Sequence, residues 1–182
     1  QKAVWDHYRD HKRAFPWRET RDPYRILVSE IMLQQTQAPR VVEKYNSFLK
    51  RFPDLQTLAR ASVTAVLKEW QGLGYNRRGL ALKKAAEDIV KNFKGKVPRD
   101  YEKLLSLPGV GPTTAGDILA FAWNEPVVVI ETNIRSVFIH AFFPEEASVH
   151  DKQLMPLIEK ALDREKPRDW YYALMDYGSM LK

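Results

Sequence analysis

Apolar residues recur every three to four positions along most of this chain, the spacing of helices with one buried face. Asp22-Pro23 forms a helix start, with aspartate as N-cap and proline at the first helical position, and the helix it opens runs to about Gln34. Val41, Val42, Tyr45, Phe48, Leu49 and Phe52 make a stripe that ends before Pro53. Ser62 caps a helix carrying Val63, Val66, Leu67 and Trp70, which stops at Gly72. Leu82, Ala85, Ala86, Ile89, Val90 and Phe93 mark a longer amphipathic helix ending near Gly95. Ala115, Ile118, Leu119 and Ala122 line another, and Ile134, Val137, Phe138 and Ala141 a further one. Two more are expected over about 151–163 and 168–181. The exception is Pro126-Val-Val-Val-Ile130, which is strand-like but too short and isolated to build a sheet. It is expected as buried extended chain between helices. With no repeat and no low-complexity linker, the pattern predicts an all-α fold.

Composition narrows the partners. The 182 residues suffice for one substantial core or two small lobes. Lys plus Arg outnumber Asp plus Glu, 29 to 23, for a net charge of +6. That moderate excess favours a polyanionic partner without requiring one. The absence of cysteine excludes disulfides, thiolate zinc sites and a cysteine-held iron–sulfur cluster within these residues. The four histidines are scattered, without metal-ligand spacing, so no metal or other cofactor is expected. No apolar run has the length of a membrane span and no signal peptide opens the chain, so an intracellular protein with no membrane partner is expected.

The densest local signal is Leu107-Pro108-Gly109-Val110-Gly111-Pro112-Thr113-Thr114-Ala115, which follows a short helical run. Gly109 and Gly111 allow positive φ and leave no side chain to block a close approach. Pro112 fits the first turn of the next helix. Free amides at the positive end of a helix make a site for phosphate. A helix–helix corner with glycines serving geometry alone is the competing reading, but the flanking residues favour a helix-hairpin-helix that grips a DNA backbone phosphate.

Two carboxylates draw attention. Tyr24, Leu27, Val28 and Ile31 are the main apolar stripe of their helix, and Glu30 lies off it, on a face shared with Ile26 and Leu33. A carboxyl among apolar neighbours resists ionisation, as a general acid at neutral pH requires. From periodicity alone, a solvated helix edge is the commoner fate of such a glutamate. Glu131 follows Val127–Ile130 and precedes Thr132-Asn133, which read as a helix N-cap region where an anion is favoured. Simple capping is the competing reading there. One neutral and one ionised acid form the pair that cleaves an N-glycosidic bond, one protonating the leaving base and the other stabilising the cationic sugar. Gln34, Gln35 and Gln37 could fill a gap in a base stack or read base edges, or simply sit at a solvated helix terminus. Trp17, flanked by Arg13 and Arg18, offers a flat surface and cations to a flipped base, or is a core tryptophan with solvated arginines.

The order of these pieces carries a resemblance. Phe15-Pro-Trp-Arg18, Asp22-Pro-Tyr24, Ser29-Glu-Ile-Met-Leu-Gln-Gln-Thr-Gln37, Trp70-Gln-Gly-Leu-Gly-Tyr75, Leu107-Pro-Gly-Val-Gly111 and Met175-Asp-Tyr-Gly178 span nearly the whole chain. In this order they resemble the endonuclease III superfamily of DNA glycosylases, and within it the adenine DNA glycosylases. The resemblance implies two helical lobes, about 22–125 and about 1–21 plus 126–182, with a DNA-binding cleft between them. It implies that Glu30 is the general acid and that Glu131 stands at the place of the family's aspartate. Trp17 and Leu33 match residues of the base pocket, and Arg13 and Arg18 match arginines near it. Asn133, beside Glu131, and Tyr172 are assigned to the same pocket. Gln34 and Gln35 match the wedge that enters the vacated stack. Gly109, Val110, Gly111 and Thr114 belong to the phosphate-binding hairpin. Thr113, also a pocket candidate, falls where bifunctional relatives carry a lysine nucleophile, so lyase chemistry is not expected.

Five departures qualify the match. Glu131 is longer than aspartate by a methylene, a displacement of roughly an ångström, which can cost about 10²-fold in rate. Tyr172 stands where adenine-specific members carry Gln or Glu, and Asn76 replaces a second tyrosine after Gly-Leu-Gly-Tyr. Lys182 occupies the place of the first cluster cysteine. Nothing represents the C-terminal domain that helps relatives recognise oxidised guanine. The expected function is a monofunctional, monomeric glycosylase acting on double-stranded DNA with a mismatched or damaged base, adenine opposite oxidised guanine or guanine leading. The alternatives are a thymine/uracil mismatch glycosylase and a catalytically impaired DNA-lesion binding module. The expected location is cytoplasmic and nucleoid-associated, or nuclear in a eukaryote.

Overall fold

The computed structural model describes residues 1–146 and 148–182. Its helices, in chain order, are α1 (Lys2–His11), α2 (Pro23–Leu33), α3 (Ala38–Arg51), α4 (Leu55–Arg60), α5 (Val63–Trp70), α6 (Arg77–Asn92), α7 (Tyr101–Leu105), α8 (Pro112–Trp123), α9 (Thr132–Phe142), α10 (Asp151–Ala161) and α11 (Pro167–Met180). A 3-10 turn spans Pro16–Arg18. There is no strand among the described residues, so the fold is all-α. The chain forms two units, one of residues 15–123 and one of residues 1–14 with 124–182.

In the unit of residues 15–123, α2 is the central helix. Asp22 caps it, its carboxylate accepting from the Tyr24 and Arg25 amides. Ile26, Leu27, Val28, Ser29, Ile31 and Met32 are all buried against α3, α6 and α8, which surround it. A serine can occupy that core because its hydroxyl donates to the Ile26 carbonyl at 2.8 Å. Side-chain caps also start α4 (Asp54), α5 (Ser62) and α7 (Asp100), each accepting from a backbone N–H three residues on. The Pro16–Arg18 turn belongs to this unit and packs on α2.

Two helices were not legible as stripes. α4 is six residues long, too short to show a period, and is announced only by its Asp54 cap. α1 buries only Val4 and Tyr8 amid charged neighbours. It places His7 and His11 one turn apart with their rings stacked at 4.7 Å, so these two histidines do share a helical spacing, contrary to expectation. Among the described residues, no group of three or more His, Asp or Glu could hold a metal ion. Helix α6 starts at Arg77, ahead of the stripe from Leu82, because its first turn buries Arg78 and Gly79 instead of apolar side chains.

In the other unit, α11 packs against α9 and α1 and carries a buried run from Trp170 to Leu174. Trp170 meets Trp5 of α1 at 5.5 Å. The extended segment before α9 differs from expectation. Only Val129 in it is buried, while Val127, Val128 and Ile130 are half-buried and Pro126 is exposed. One side chain accounts for its path. The Tyr171 hydroxyl donates to the Val127 carbonyl at 2.7 Å and accepts from the Val129 amide at 3.1 Å, replacing ladder bonds that a sheet would have made.

Gly178 fixes how closely α11 approaches α9. A Cβ there would lie 2.3 Å from the Asn133 carbonyl oxygen and 2.8 Å from the Asn133 Cβ. Backbone cannot yield as a flexible side chain would. Gly178→Ala is therefore expected to destabilise this unit by roughly 3 kcal/mol, the upper end for overpacking, measurable by urea unfolding.

Candidate functional site

Glu30 sits half-buried on α2, one position before the fully buried Ile31 and Met32. Leu33, the last residue of α2, is half-buried. The base-pocket candidate Trp17 is not an open platform. It is 4% exposed, stacked on Phe15 at 4.9 Å and met edge-on by Tyr45 at 5.6 Å. This corrects the reading of Trp17 as a free flat surface, because the turn of Pro16–Arg18 folds the indole inward. Phe15 is the half-buried ring of that stack, with the Arg18 guanidinium 5.2 Å over it.

The hairpin between α7 and α8 is closed by the Val110 amide donating to the Leu107 carbonyl at 3.1 Å, and Val110 itself is buried. Gly111 is the residue before Pro112, and its carbonyl accepts the first bond of α8 from Ala115 at 2.9 Å. Both glycines allow positive φ, and of the two only Gly109 adopts it, at +81°. A Cβ on Gly109 would lie 3.0 Å from the Ala81 Cβ on α6, whereas one on Gly111 would meet nothing within 4 Å. Gly109 thus serves the turn and its packing, and Gly111 leaves open space at the mouth of α8. Thr113 is half-buried and Thr114 buried on the first turn of that helix.

Gln34 joins α2 to the hairpin, its Nε2 donating to the Gly109 carbonyl at 3.0 Å and to Thr114 Oγ1 at 3.2 Å. Gln35 is exposed, with a left-handed φ of 54°. What imposes that geometry is Arg78, a residue that no hydrophobic pattern points to. Its buried guanidinium donates from Nη1 to the carbonyls of Ile31 (3.2 Å), Met32 (3.0 Å) and Gln34. From Nη2 it donates to Thr36 Oγ1 (2.9 Å) and the carbonyls of Leu73 (2.9 Å) and Gly74 (3.2 Å). Burial lowers its pKa from the usual arginine value, with Tyr75 opposing and Arg77 adding. The Trp70 and Tyr75 rings lie 5.7 and 5.6 Å from it. Tyr75, left-handed at φ 47° and 57% exposed, is a second exposed tip on the loop held by Arg78.

In the other unit, Glu131 is itself the N-cap of α9, one residue ahead of the expected Thr132-Asn133. Its Oε1 accepts from the amides of Asn133 (2.8 Å) and Ile134 (2.7 Å), and its Oε2 accepts from Asn133 Nδ2 at 3.2 Å. Lys182 donates to Asn133 Oδ1 at 2.8 Å. With no cysteine in the 182 residues, the residues present do not fit a thiolate-held cluster. Arg13 is committed within this unit, its Nε at 2.6 Å from the buried Asp176 carboxylate and its Nη atoms on Ser179 Oγ and the Met175 carbonyl. Tyr172 is buried on α11, with the Arg168 guanidinium 5.5 Å over its ring.

Comparison with known proteins gives the class. Residues 28–163 match the HhH-GPD superfamily of base excision DNA repair proteins, and the chain belongs to that family. It is 34% identical over 181 residues to the adenine DNA glycosylase of Buchnera aphidicola subsp. Baizongia pistaciae, covering 97% of this chain and 50% of that protein. It is 31% identical over 174 residues to the thymine/uracil-DNA glycosylase of Methanothermobacter thermautotrophicus, covering 93% of this chain and 78% of that protein. The structure of a thermostable thymine-DNA glycosylase superposes with a TM-score of 0.88 at 28% identity, covering 98% of this chain and 84% of that one. The chain spans about half the length of that Buchnera adenine DNA glycosylase and about a third of the length of the human one.

The two hairpin glycines separate by stability alone. Gly109→Ala forces a side chain into a left-handed position against Ala81 and is expected to cost about 1–2 kcal/mol. Gly111→Ala, with neither constraint, is expected to unfold at the parent's urea midpoint.

Proposed function

We propose that this chain is a DNA glycosylase that flips a mismatched or damaged base out of duplex DNA and hydrolyses its N-glycosidic bond. Membership of the repair superfamily supports the class, and the observation that carries the chemistry is the contrast between the two carboxylates. Glu30 stands half-buried on a helix otherwise surrounded by core. Glu131 is held at a helix N-terminus by two backbone amides, a place where negative charge is favoured. In this reading Glu30 gives its proton to the departing base, and Glu131 stabilises the positive sugar that remains. Water then adds at the sugar carbon, and Glu30 regains a proton from it.

The Gly111 side of the hairpin takes a backbone phosphate in this scheme, since the amides of Gly109 and Gly111 are engaged by no hydrogen bond among the described residues. Gln35 enters the space the base leaves, while Gln34 holds the hairpin beside it. Thr113 in place of a lysine argues for hydrolysis without lyase action. The leading substrate is adenine opposite oxidised guanine or guanine. A second reading, thymine or uracil opposite guanine, is favoured by Tyr172 in place of the expected Gln or Glu, and by the greater share of the thymine/uracil-DNA glycosylase that the chain spans. Excision assays over all mismatches, with alkali to reveal abasic sites, separate the two. No product on any duplex, with retained affinity for an abasic-site analogue, would leave a binding module.

Glu30→Gln keeps shape and loses the proton, so excision should vanish while DNA affinity stays within a few-fold of the parent. Activity near the parental rate would remove Glu30 from the chemistry.

Glu131→Gln keeps acceptors for the cap and loses the charge. Its single-turnover excision rate should fall by on the order of 10² or more, with little change in DNA binding. Glu131→Asp then tests reach: faster excision means the longer side chain is a handicap, and slower excision means its surroundings have adapted to it.

A further inference from the structure

Gln35 carries an exposed side chain on a left-handed backbone, φ 54°. Glycine would adopt that conformation without strain, but glycine has no side chain to offer. A residue in this state relaxes to ordinary backbone unless its surroundings forbid it. Arg78 acts on the chain at both neighbours of Gln35. Its Nη1 donates to the Gln34 carbonyl, and its Nη2 donates to Thr36 Oγ1 at 2.9 Å. One planar group therefore grips the residue before Gln35 and the residue after it. Gln34 is held a second time, by its side chain on the Gly109 carbonyl and Thr114 Oγ1.

The same arginine fixes a second left-handed residue. Nη2 also donates to the Leu73 and Gly74 carbonyls, at 2.9 and 3.2 Å, and the Arg78 amide donates to the Tyr75 carbonyl at 2.9 Å. The Thr36 hydroxyl reaches the Leu73 carbonyl at 3.5 Å, so the two loops also meet each other directly. The guanidinium is itself seated, 5.7 Å from the ring of the fully buried Trp70. Trp70 is fixed in turn by its Nε1, which donates to the Gly74 carbonyl at 3.1 Å.

We infer that Arg78 is a positioning residue for base opening: it presents Gln35 as a wedge already fixed in its inserting form, and it ties that wedge to the loop of Tyr75. This rests on the reading that Gln35 enters the space the base leaves. A side chain that inserts from a mobile loop must lose its freedom as it enters the stack, and that ordering opposes base opening. Here the loop is ordered beforehand, by the bonds of one guanidinium to the residues on either side of the wedge.

Arg78→Lys in the full chain keeps the charge and loses the planar fork. In the free protein, the 15N order parameters of Gln35 and Tyr75 should fall together, to below about 0.6, while those of the helices stay at the parent's values. Single-turnover excision from a mismatched duplex should slow by on the order of 10²-fold. Added to Gln35→Ala, the same substitution should slow excision by no more than about twofold, because an arginine that works through Gln35 then has nothing to present. A merely structural arginine would add its full loss to the double variant. Where Arg78→Lys does not fold, Thr36→Val removes the acceptor after Gln35 and should lower the order of Gln35 while Tyr75 keeps the parent's. Parental order at Gln35 in either folded variant overturns the inference, as does full additivity with Gln35→Ala. Lost order at Gln35, in a protein whose parent excises no base, supports the hold on the wedge, and the glycosylase reading is what fails.

Discussion

One buried guanidinium holds the unit of residues 15–123 in its working form. The end of α2 leaves carbonyls without helical partners, and the next residues turn sharply toward α3. Water would meet those carbonyls at a surface, but here Arg78 supplies the donor from Nη1, while its Nη2 binds the loop after α5. The cation sits at the negative end of the helix dipole, paired with no carboxylate among the described residues, so the attraction is to aligned backbone dipoles. Six acceptors, from the end of α2 and the loops after α2 and α5, converge on one planar group, which lysine, with a point charge and three donors, could not reproduce. The orphaned buried Nε shows the limit of the arrangement. The consequence is local rigidity where it is least expected. Gln35 and Tyr75, two non-glycine residues in left-handed conformations, are held at exposed tips by loops that Arg78 ties together. Strain of that kind persists only where surrounding structure over-determines it.

The same principle, backbone brought unusually close, organises the other unit through an absence. Gly178 has no Cβ, so α11 lies against the first turn of α9 at Asn133, two residues beyond Glu131. The carboxylate of Glu131 then closes on that turn through Asn133 and Ile134. Capping and charge placement, set against each other as competing readings of Glu131, turn out to be one geometry. A carboxylate that accepts two amides at a helix start is both a cap and a fixed negative charge.

How much of this was legible follows from what kind of signal each feature leaves. Long helices with repeating apolar faces, such as α3 and α6, announce themselves, as do the Asp22-Pro23 start and the glycine hairpin. Features held by single polar residues leave no period. α4 is marked by one cap, α1 by two buried residues, and the path of residues 127–129 by the hydroxyl of Tyr171. Arg78 was invisible for the same reason, since in sequence it is one of two adjacent arginines at a helix start. The candidate site divides likewise. Motif order pointed to Glu30, the glutamines and the hairpin as candidates, but it could not tell which residues were engaged by the rest of the protein. Trp17 is packed between Phe15 and Tyr45, Arg13 is bound to Asp176, and Gln34 is bound to the hairpin it was expected to act beside.

Those commitments bear on how the proposed chemistry is organised. Arg13 and Trp17 are engaged by the protein, so any part they take in holding a base is as walls whose positions are fixed beforehand. Gln35 is exposed, and the Gly109 and Gly111 amides are engaged by no backbone hydrogen bond among the described residues. Preorganisation of this kind lets charge develop beside groups that need not move, which is where electrostatic stabilisation gains most over water. The longer arm of Glu131 fits the same logic. An extra methylene on a loose side chain would blur the position of its charge, but the bonds to Asn133 and Ile134 remove that freedom.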